Sequence, residues 1–426
     1  MIYNFSDYMN EMKIAGNLVV QPRMGFSTLE KMEQGLRAVA NCKAPTIGTI
    51  TLDSYTRVND FVSPKVALDN NQEINGFPIV THGAKATQKL LGNFVEKKFA
   101  IQVRHGTALP VEIIKVLLAS GINATEGGPI SYCLPYSRLP IEKAISAWAA
   151  CCELLASSRE KGIVNHLESF AGCMLGQLCP PSLLLALGIL EGIFFKRHGL
   201  ASISLSYAQG PSAVQDLSAL GALHTLANEY LSDIDWHIVV YTYMGVFPKT
   251  KVGANTIIKT SAQIAKAGKA QRLIVKTPAE AYRIPTIEEN VESLELAFIA
   301  SKNVDNNINL NVDLEEQEKI YLQAKFLVDS VLDLHCSLNK GLQIAFSKGY
   351  LDVPYCLHLD NKNLTRSIID SRGYLQWAKT GNMPFNRDYL NDFPKRKIPI
   401  TSDSFLYMLG FVQHKYDNFK PDSQFL

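Results

Sequence analysis

The chain has 426 residues, with 42 Lys or Arg against 40 Asp or Glu and a formal net charge of +2 at pH 7. This length allows one large α/β barrel with an appended region, or two domains of ordinary size. Because the charges balance and no block of basic residues occurs, we expect no nucleic-acid partner. The longest apolar run, residues 183–195, contains Glu191 and is shorter than the ~20 residues that a membrane-spanning helix needs, so we expect no membrane segment.

The cysteines and the N-terminus bear on the cellular location. The eight cysteines are scattered without a C-x-x-C pair, which favours a reduced, cytoplasmic setting. The first twenty residues mix charged side chains such as Asp7 with short apolar pieces and do not form a secretory signal. Cys173 and Cys179 follow His166 at a spacing unlike that of a zinc site, so we interpret them as small core residues and expect no metal.

From residue 18 to about 285, short apolar runs alternate with helical patterns. This alternation predicts parallel strands joined by crossover helices, and the continuous apolar character of the runs is typical of strands buried on both faces. The nine candidate strands are 18–23, 47–53, 79–82, 100–105, 122–126, 164–168, 202–208, 237–243 and 272–276. A closed eightfold barrel leaves no exposed sheet edge, so we expect eight of them to form a barrel and 79–82 to be an extra or peripheral segment.

The helices carry start signals. Ser27–Glu30, Ser212–Gln215 and Thr286–Glu289 match the capping box, and Pro180-Pro181-Ser182 opens the apolar run as a buried helix. After about residue 286 the pattern becomes helical, followed from residue 348 by a tail rich in Asp, Asn, Pro and aromatic residues, whose last part from Lys415 is polar enough to be loosely ordered. The fold class predicted is therefore α/β, a (β/α)8 barrel of the TIM type over residues 1–300 with an appended C-terminal α+β region over 301–426.

Five charged residues follow or end predicted strands: Arg23, Arg57, Arg104, Glu126 and Lys276. In a closed α/β barrel the loops after the strands build the active site, so charged residues at strand ends are candidates for it. The arginine fork donates two parallel hydrogen bonds to a carboxylate, and three arginines indicate a substrate with two carboxylates. Any one of them alone is as readily a surface or structurally paired residue.

The other candidates leave alternatives open. Glu126 precedes two glycines and is placed either to hold an amino group or to act as a base. Tyr132 and Tyr136 either line the pocket or pack as core aromatics, and His105 reaches the site only if its strand ends before it. Lys276 either forms a Schiff base with a carbonyl substrate or stays charged and, with Glu280 one turn further, binds a cofactor.

Taken in order, these motifs resemble the family of epsilon subunits of glutamate mutase (methylaspartate mutase), an adenosylcobalamin-dependent isomerase. The resemblance runs from about Val19 to Asn386. It also includes four further motifs, namely Asn75-Gly76-Phe77-Pro78, Pro180-Pro181-Ser182, Met244-Gly245-Val246-Phe247-Pro248 and Gly381-Asn382-Met383-Pro384-Phe385. The resemblance implies a TIM-type barrel and a radical rearrangement that interconverts L-glutamate and threo-3-methylaspartate, with the coenzyme supplying the hard chemistry.

The resemblance also implies a role for each matching position. Glu126, as the catalytic residue, matches the carboxylate that holds the substrate amino group. The substrate-binding positions matched are Arg23, Arg57, Arg104, His105, Glu126, Tyr132 and Tyr136. The cofactor-binding positions matched are Gly25, Asn75, Pro135 and Phe247 for cobalamin, and Lys276, Glu280 and Ile284 around the adenosyl group.

Two departures from the family pattern stand out, and a signature of the separate cobalamin-binding module is absent. Pro129 replaces a glycine after Glu126, and the usual histidine–glutamine pair is absent around residues 241–245. The cobalt-binding signature Asp-x-His-x-x-Gly has only one lookalike, Asp333–Leu338, which lacks the glycine, and its His335 is interpreted as a helix residue. The resemblance therefore implies that the cobalamin-binding subunit is a separate small chain, working with a homodimer of this chain within a heterotetramer.

Two other functions stay open on the sequence. One is a cofactor-independent barrel lyase or aldolase that uses Lys276 as a Schiff base. The other is a catalytically silent homologue that binds a dicarboxylate, although the retained charged positions favour an enzyme.

Overall fold

The computed structural model describes residues 3–174, 178–303, 310–385 and 400–418. Its centre is a sheet of eight parallel strands in the order β1-β8-β7-β6-β5-β4-β3-β2. The strands are β1 (Val19–Pro22), β2 (Gly48–Thr51), β3 (Ile101–Arg104), β4 (Ala124–Gly127), β5 (His166–Ser169), β6 (Ser202–Ala208), β7 (Asp235–Tyr241) and β8 (Arg272–Val275). A parallel bridge between Val20 and Thr46 joins β1 to the segment before β2, so the sheet forms a nearly closed barrel and confirms the predicted fold class.

Helices connect the strands and surround the sheet. They are α1 (Phe5–Ile14), α2 (Leu29–Ala40), α3 (Ser54–Arg57), α4 (Ser63–Asp69), α5 (Ile79–Gly92), α6 (Val111–Ser120), α7 (Ile141–Ser157), α8 (Pro181–Arg197), α9 (Ala213–Leu231), α10 (Lys251–Ala267) and α11 (Ile287–Lys302). The predicted buried helix is confirmed as α8, which Pro180 and Pro181 open. Within the described ranges, no helix is long and apolar enough to cross a membrane.

Two details of the predicted elements are wrong. Residues 79–82 lie outside the barrel sheet, as expected, but they are the first turn of α5 rather than a strand, and α5 then kinks at Gly83, whose φ is +78°. A segment of four residues that begins with Ile79 and Val80 has the same appearance in a strand and at the start of a helix, so periodicity could not separate them. The cap of α2 is Thr28 rather than Ser27, because the Thr28 side chain accepts the N–H of Lys31.

Of the two remaining predicted capping boxes, one is confirmed and one is wrong. Thr286 and Glu289 form the predicted capping box at the start of α11. Ser212 precedes α9 but makes no side-chain cap, and the Gln215 side chain instead bonds to both main-chain groups of Leu375. A tertiary contact therefore replaced the local bond that the spacing predicts.

The segment after α11 contributes α12 (Leu314–Leu332), α13 (Leu338–Lys348), the antiparallel pair β9 (Arg366–Ile369) and β10 (Leu375–Lys379), and α14 (Ser402–Asp417). Helix α12 packs on α8 and α9, and α14 packs on α10. His335 lies in the turn between α12 and α13 and not in a helix, so its predicted placement was wrong. The prediction of a loosely ordered tail from Lys415 is wrong as far as Asp417, because Lys415 donates to the Pro211 carbonyl and Asp417 accepts the N–H of Thr250. Residues 419–426, which it also covered, lie outside the described ranges.

A buried ion pair lies inside the barrel. Arg272 at the start of β8 contacts Glu168 in β5, and both side chains are fully buried. Arg272 Nη1 also donates to Gln21 Oε1 at 2.6 Å and to Gln102 Oε1 at 3.1 Å. A buried charge needs matched partners of this kind, because transfer from water to the interior is costly.

We expect Arg272→Met to lower the free energy of unfolding by about 3–5 kcal/mol, because it leaves the Glu168 carboxylate buried without its counter-charge. Urea denaturation followed by circular dichroism measures the change. Adding Glu168→Gln to Arg272→Met removes the orphaned charge and recovers part of the loss. A loss of about 1 kcal/mol or less, the size typical of an exposed pair, would contradict the buried pairing.

Candidate active site

The predicted site residues lie at one end of the barrel. Arg104 is the last residue of β3, and Glu126 is the next-to-last residue of β4. Arg23 and Lys276 directly follow β1 and β8. The others lie in the loops beyond the strands, and Arg57 ends α3 after β2. Because parallel strands end at the same rim, the topology brings these side chains to the face that carries active sites in such barrels.

The first group is built on Arg104 and Glu126. Arg104 Nε donates to Glu126 Oε2 at 2.6 Å, and both side chains are almost completely buried. Although burial opposes its charge, the neighbouring carboxylate raises the pKa of Arg104 above its usual value. The hydroxyl of Tyr132 donates to Glu126 Oε1, and the hydroxyl of Tyr241 lies 2.9 Å from Glu126 Oε2.

This pair has the charge pattern of a receptor for an α-amino acid. A guanidinium carries five N–H donors, so Arg104 can bind a carboxylate through the nitrogens that Glu126 does not use. The Glu126 carboxylate next to it is suited to an ammonium group. A zwitterion presents the same two charges in adjacent positions, so the pair is complementary to it.

His105 and Arg57 lie beside this group. Burial, together with the charge of Arg57, lowers the pKa of His105 to about 3, so the imidazole is neutral. Its Nδ1 accepts the N–H of Thr107, which assigns the proton to Nε2, and Nε2 has no hydrogen-bond partner among the described residues. Arg57 donates Nε and Nη2 to the Leu52 carbonyl, which holds its guanidinium in place. His105 therefore offers a fixed, unused donor.

The second group is built on Glu280, in the 3₁₀ turn Pro278–Ala281. Its Oε1 lies 2.7 Å from Arg23 Nη1 and 3.1 Å from Lys276 Nζ. Burial lowers the pKa of Lys276 to about 8, although Glu280 opposes the shift. Burial alone would raise the pKa of Glu280, but the charges of Arg23 and Lys276 hold it below its usual value.

A pocket of about 390 Å³ opens on this second group. It is lined by Arg23, Met244, Gly245, Val246, Phe247, Lys249, Lys276, Glu280 and Ala281. The Lys276 ammonium lies 5.1 Å from the centroid of the Phe247 ring. The pocket thus combines an aromatic wall with one carboxylate and several cations.

Tyr136 connects the two groups. Its ring packs edge-on against Tyr132, with centroids 5.7 Å apart, although 48% of the residue is exposed. Desolvation raises the pKa of its hydroxyl, and the charge of Arg23 opposes that shift. Arg23 therefore acts on both Glu280 and Tyr136.

The remaining predicted cofactor positions surround the mouth. A Cβ on Gly25 would lie 2.1 Å from the Thr51 carbonyl oxygen, so only glycine fits there. Asn75 is bridged to Phe26, which fixes it beside the same loop. Pro135 lies in the loop after β4, and Ile284 is 54% exposed beyond the Pro278–Ala281 turn, at the rim rather than inside.

The sequence reasoning missed Tyr241 and Glu168. The Tyr241 hydroxyl contacts Glu168 as well as Glu126, and Arg104 Nη2 lies 3.4 Å from it. The strand-end rule that selected Glu126 would also have selected Glu168, which stands next to the end of β5. Tyr241 was noticed only as part of the segment that departs from the family pattern, and no spacing rule marks it.

Comparisons with known proteins identify the family of this chain. A family model described as Methylaspartate mutase E chain (MutE) matches residues 2–403. This chain belongs to the methylaspartate mutase E chain family. A glutamate mutase epsilon subunit from Desulfitobacterium hafniense (strain Y51) is 33% identical over 409 residues, covering 93% of this chain and 84% of the relative. One from Yersinia enterocolitica is 31% identical over 406 residues, covering 91% and 82%.

Membership of the methylaspartate mutase E chain family supports a mutase-type role. Among solved structures, the chain is similar to the YdjI aldolase from Escherichia coli K12 with a TM-score of 0.35 and 11% identity, covering 71% of this chain and 95% of the aldolase. A similarity that low carries no inference about activity.

In this family member, we expect the Lys276 amine to titrate near pH 8, charged below that pH and neutral above it. Glu280→Gln removes the charge that opposes desolvation, so the pKa of Lys276 falls further and the amine becomes reactive at lower pH. The rate of acylation of Lys276 against pH, followed by peptide mass spectrometry, measures both values. Titration near that of a free lysine in both proteins would contradict the burial of this amine.

Proposed function

We propose that this chain is the catalytic subunit of an adenosylcobalamin-dependent carbon-skeleton mutase that interconverts L-glutamate and threo-3-methylaspartate. The observation that carries the proposal is the Arg104–Glu126 pair, two opposite charges 2.6 Å apart in a buried site. Family membership supplies the reaction class, and the pair matches the amino-acid end of the proposed substrate.

In this proposal, the substrate is fixed at both ends. Arg104 binds the carboxylate next to the amino group, and Glu126 holds the ammonium as the catalytic residue. Arg23 and Arg57 bind the second carboxylate, with the Nε2–H of His105 as a further donor. Tyr132 orients Glu126, and Tyr136 covers the substrate from the rim. Fixing both ends keeps the substrate fragments aligned while the carbon skeleton rearranges.

The residues around the second group fit an adenosyl coenzyme. The Glu280 carboxylate is an acceptor for sugar hydroxyls, Lys276 is a charged donor at neutral pH, and Phe247 supplies an apolar wall. Gly25, Asn75 and Pro135 would contact the cobalamin part of the coenzyme around the mouth, and Ile284 would lie near the adenosyl group. When bound, adenosylcobalamin supplies the radical chemistry that removes and returns a substrate hydrogen. The chain's own residues bind the reactants and exclude water from them.

The proposal extends to assembly. The cobalt ligand would come from a separate small cobalamin-binding subunit, because His335 lies in an exposed turn without the glycine of the signature. We propose a homodimer of this chain within a heterotetramer, located in the cytoplasm. Residues 1–300 would form the catalytic domain, with 301–426 as the C-terminal region.

One observation favours a second candidate, a barrel lyase. The lowered pKa of Lys276 is what a Schiff-base lysine requires. The same amine is engaged by Glu280 and the Phe247 ring, however, which suits a binding role better. A dicarboxylate-binding homologue without activity would use the first group alone.

We expect the chain, mixed with a small subunit carrying Asp-x-His-x-x-Gly, adenosylcobalamin and L-glutamate, to form 3-methylaspartate and an organic radical signal. Amino-acid analysis and electron paramagnetic resonance measure the two. The chain without the small subunit is the control and should form neither. Absence of both from the complete mixture would contradict the mutase, and trapping of Lys276 by borohydride with a carbonyl substrate would favour the lyase.

A further inference from the structure

Glu191 lies in the middle of α8. This helix is apolar and buried along almost its whole length, and Glu191 has 0% exposure. Burial raises the pKa of its carboxyl to about 7, which shows how poorly the position suits a charge. Leucine or methionine would fill such a helix at lower cost, so the carboxylate calls for an explanation.

The partners of Glu191 supply one. Its Oε1 accepts the main-chain N–H groups of Ile130 at 2.9 Å and Ser131 at 2.8 Å. Its Oε2 accepts the hydroxyls of Ser131 at 3.0 Å and of Ser169, the last residue of β5, at 2.7 Å. Three of these four donors belong to the loop that follows Glu126.

The loop is shaped for this contact. A Cβ on Gly128 would lie 2.2 Å from the Glu191 carboxylate, so glycine lets the loop approach α8. Pro129 has no N–H and a fixed φ, and the next two N–H groups along the chain both point at Glu191. The residue that departs from the family pattern therefore stands at the start of the contact.

We propose that Glu191 is a positioning residue, which fixes the loop 128–132 so that Glu126 and Tyr132 meet the substrate amino group in one geometry. The loop turns back on itself through the Tyr132 N–H, which donates to the Gly128 carbonyl at 3.2 Å, and this turn delivers the Tyr132 hydroxyl to Glu126. Glu191 touches neither substrate nor coenzyme. The inference rests on the proposed function and deepens its substrate side.

The test compares Glu191→Ala with Glu191→Gln in the reconstituted enzyme. Alanine frees the loop, so the KM for glutamate should rise at least about tenfold, because displacement of a site group by about 1 Å can cost as much as 100-fold. The KM for adenosylcobalamin, which depends on the second group, should stay within about twofold of the original. Glutamine keeps an acceptor for the two N–H groups, so it should restore most of the glutamate affinity.

The matched control is Glu316→Ala. Glu316 is another buried carboxylate, and it accepts hydrogen bonds from Gln215 and Gln376 away from the site. Its loss should lower stability without changing the KM for glutamate. Equal effects of the two alanine variants on that KM would overturn the proposal, since Glu191 would then act only through stability.

Two further measurements keep the test decisive. If Glu191→Ala does not fold, Glu191→Asp withdraws the carboxylate by one methylene and should raise the KM for glutamate in the same way. An unchanged KM overturns the proposal.

Hydrogen exchange of the Ile130 and Ser131 amides can be measured without product formation. It should accelerate at least about tenfold in Glu191→Asp while the core strands stay protected. Unchanged exchange of these amides would overturn the positioning role of Glu191. If exchange becomes faster but the original protein forms no methylaspartate, the positioning role is supported and only the proposed mutase activity is rejected.

Discussion

The structure depends on how charge is balanced inside the barrel. Two buried arginine–carboxylate pairs, Arg272 with Glu168 below and Arg104 with Glu126 at the mouth, are connected by the Tyr241 hydroxyl. Each carboxylate has a cation, and the tyrosine contacts both. Because both pairs are buried, a partner removed from one pair leaves an uncompensated charge close to the other. The geometry of the mouth is therefore set partly by residues that never reach a substrate.

Above that network, the mouth of the barrel holds two separate groups of charged residues. The loops after β2, β3 and β4 supply the group around Glu126, whereas the loops after β7, β8 and β1 supply the pocket around Glu280. Arg23 lies between them, bonded to Glu280 and close to Tyr136. In the proposed reaction, the coenzyme and the amino acid would bind at these two adjacent places, which are built from different strands. Mutations in one half can therefore be used as controls for the other.

Much of this was predictable from sequence, for a physical reason. Continuous apolar runs mark strands buried on both faces, and a charged residue at the end of such a run must lie at the barrel rim, which located Arg104, Glu126 and Lys276. The buried interior was not predictable in the same way. Glu168 stands near a strand end and Glu191 lies in an apolar run, but the sequence does not say which donors surround either carboxylate, and only the fold shows them.

Local signals failed where tertiary contacts competed with them. Gln215 has the right spacing for a capping box, yet its side chain bonds to Leu375 from the C-terminal region. Residues 79–82 begin with two β-branched residues, as a strand can, yet they begin α5 because so short a segment does not distinguish the two. Sequence spacing describes neighbours along the chain, and for Gln215 the deciding neighbour was distant.

The central claim is that Arg104 and Glu126 together recognise the zwitterionic end of an amino acid. It is tested most directly by calorimetric titration of L-glutamate and of glutarate into the chain assembled with the proposed small cobalamin-binding subunit and a cobalamin that lacks the adenosyl group. Glutarate keeps both carboxylates and lacks the ammonium, so it should bind at least about tenfold more weakly, a loss of about 1.4 kcal/mol. Equal affinity for the two would show that Glu126 contributes nothing to recognition and would contradict the account.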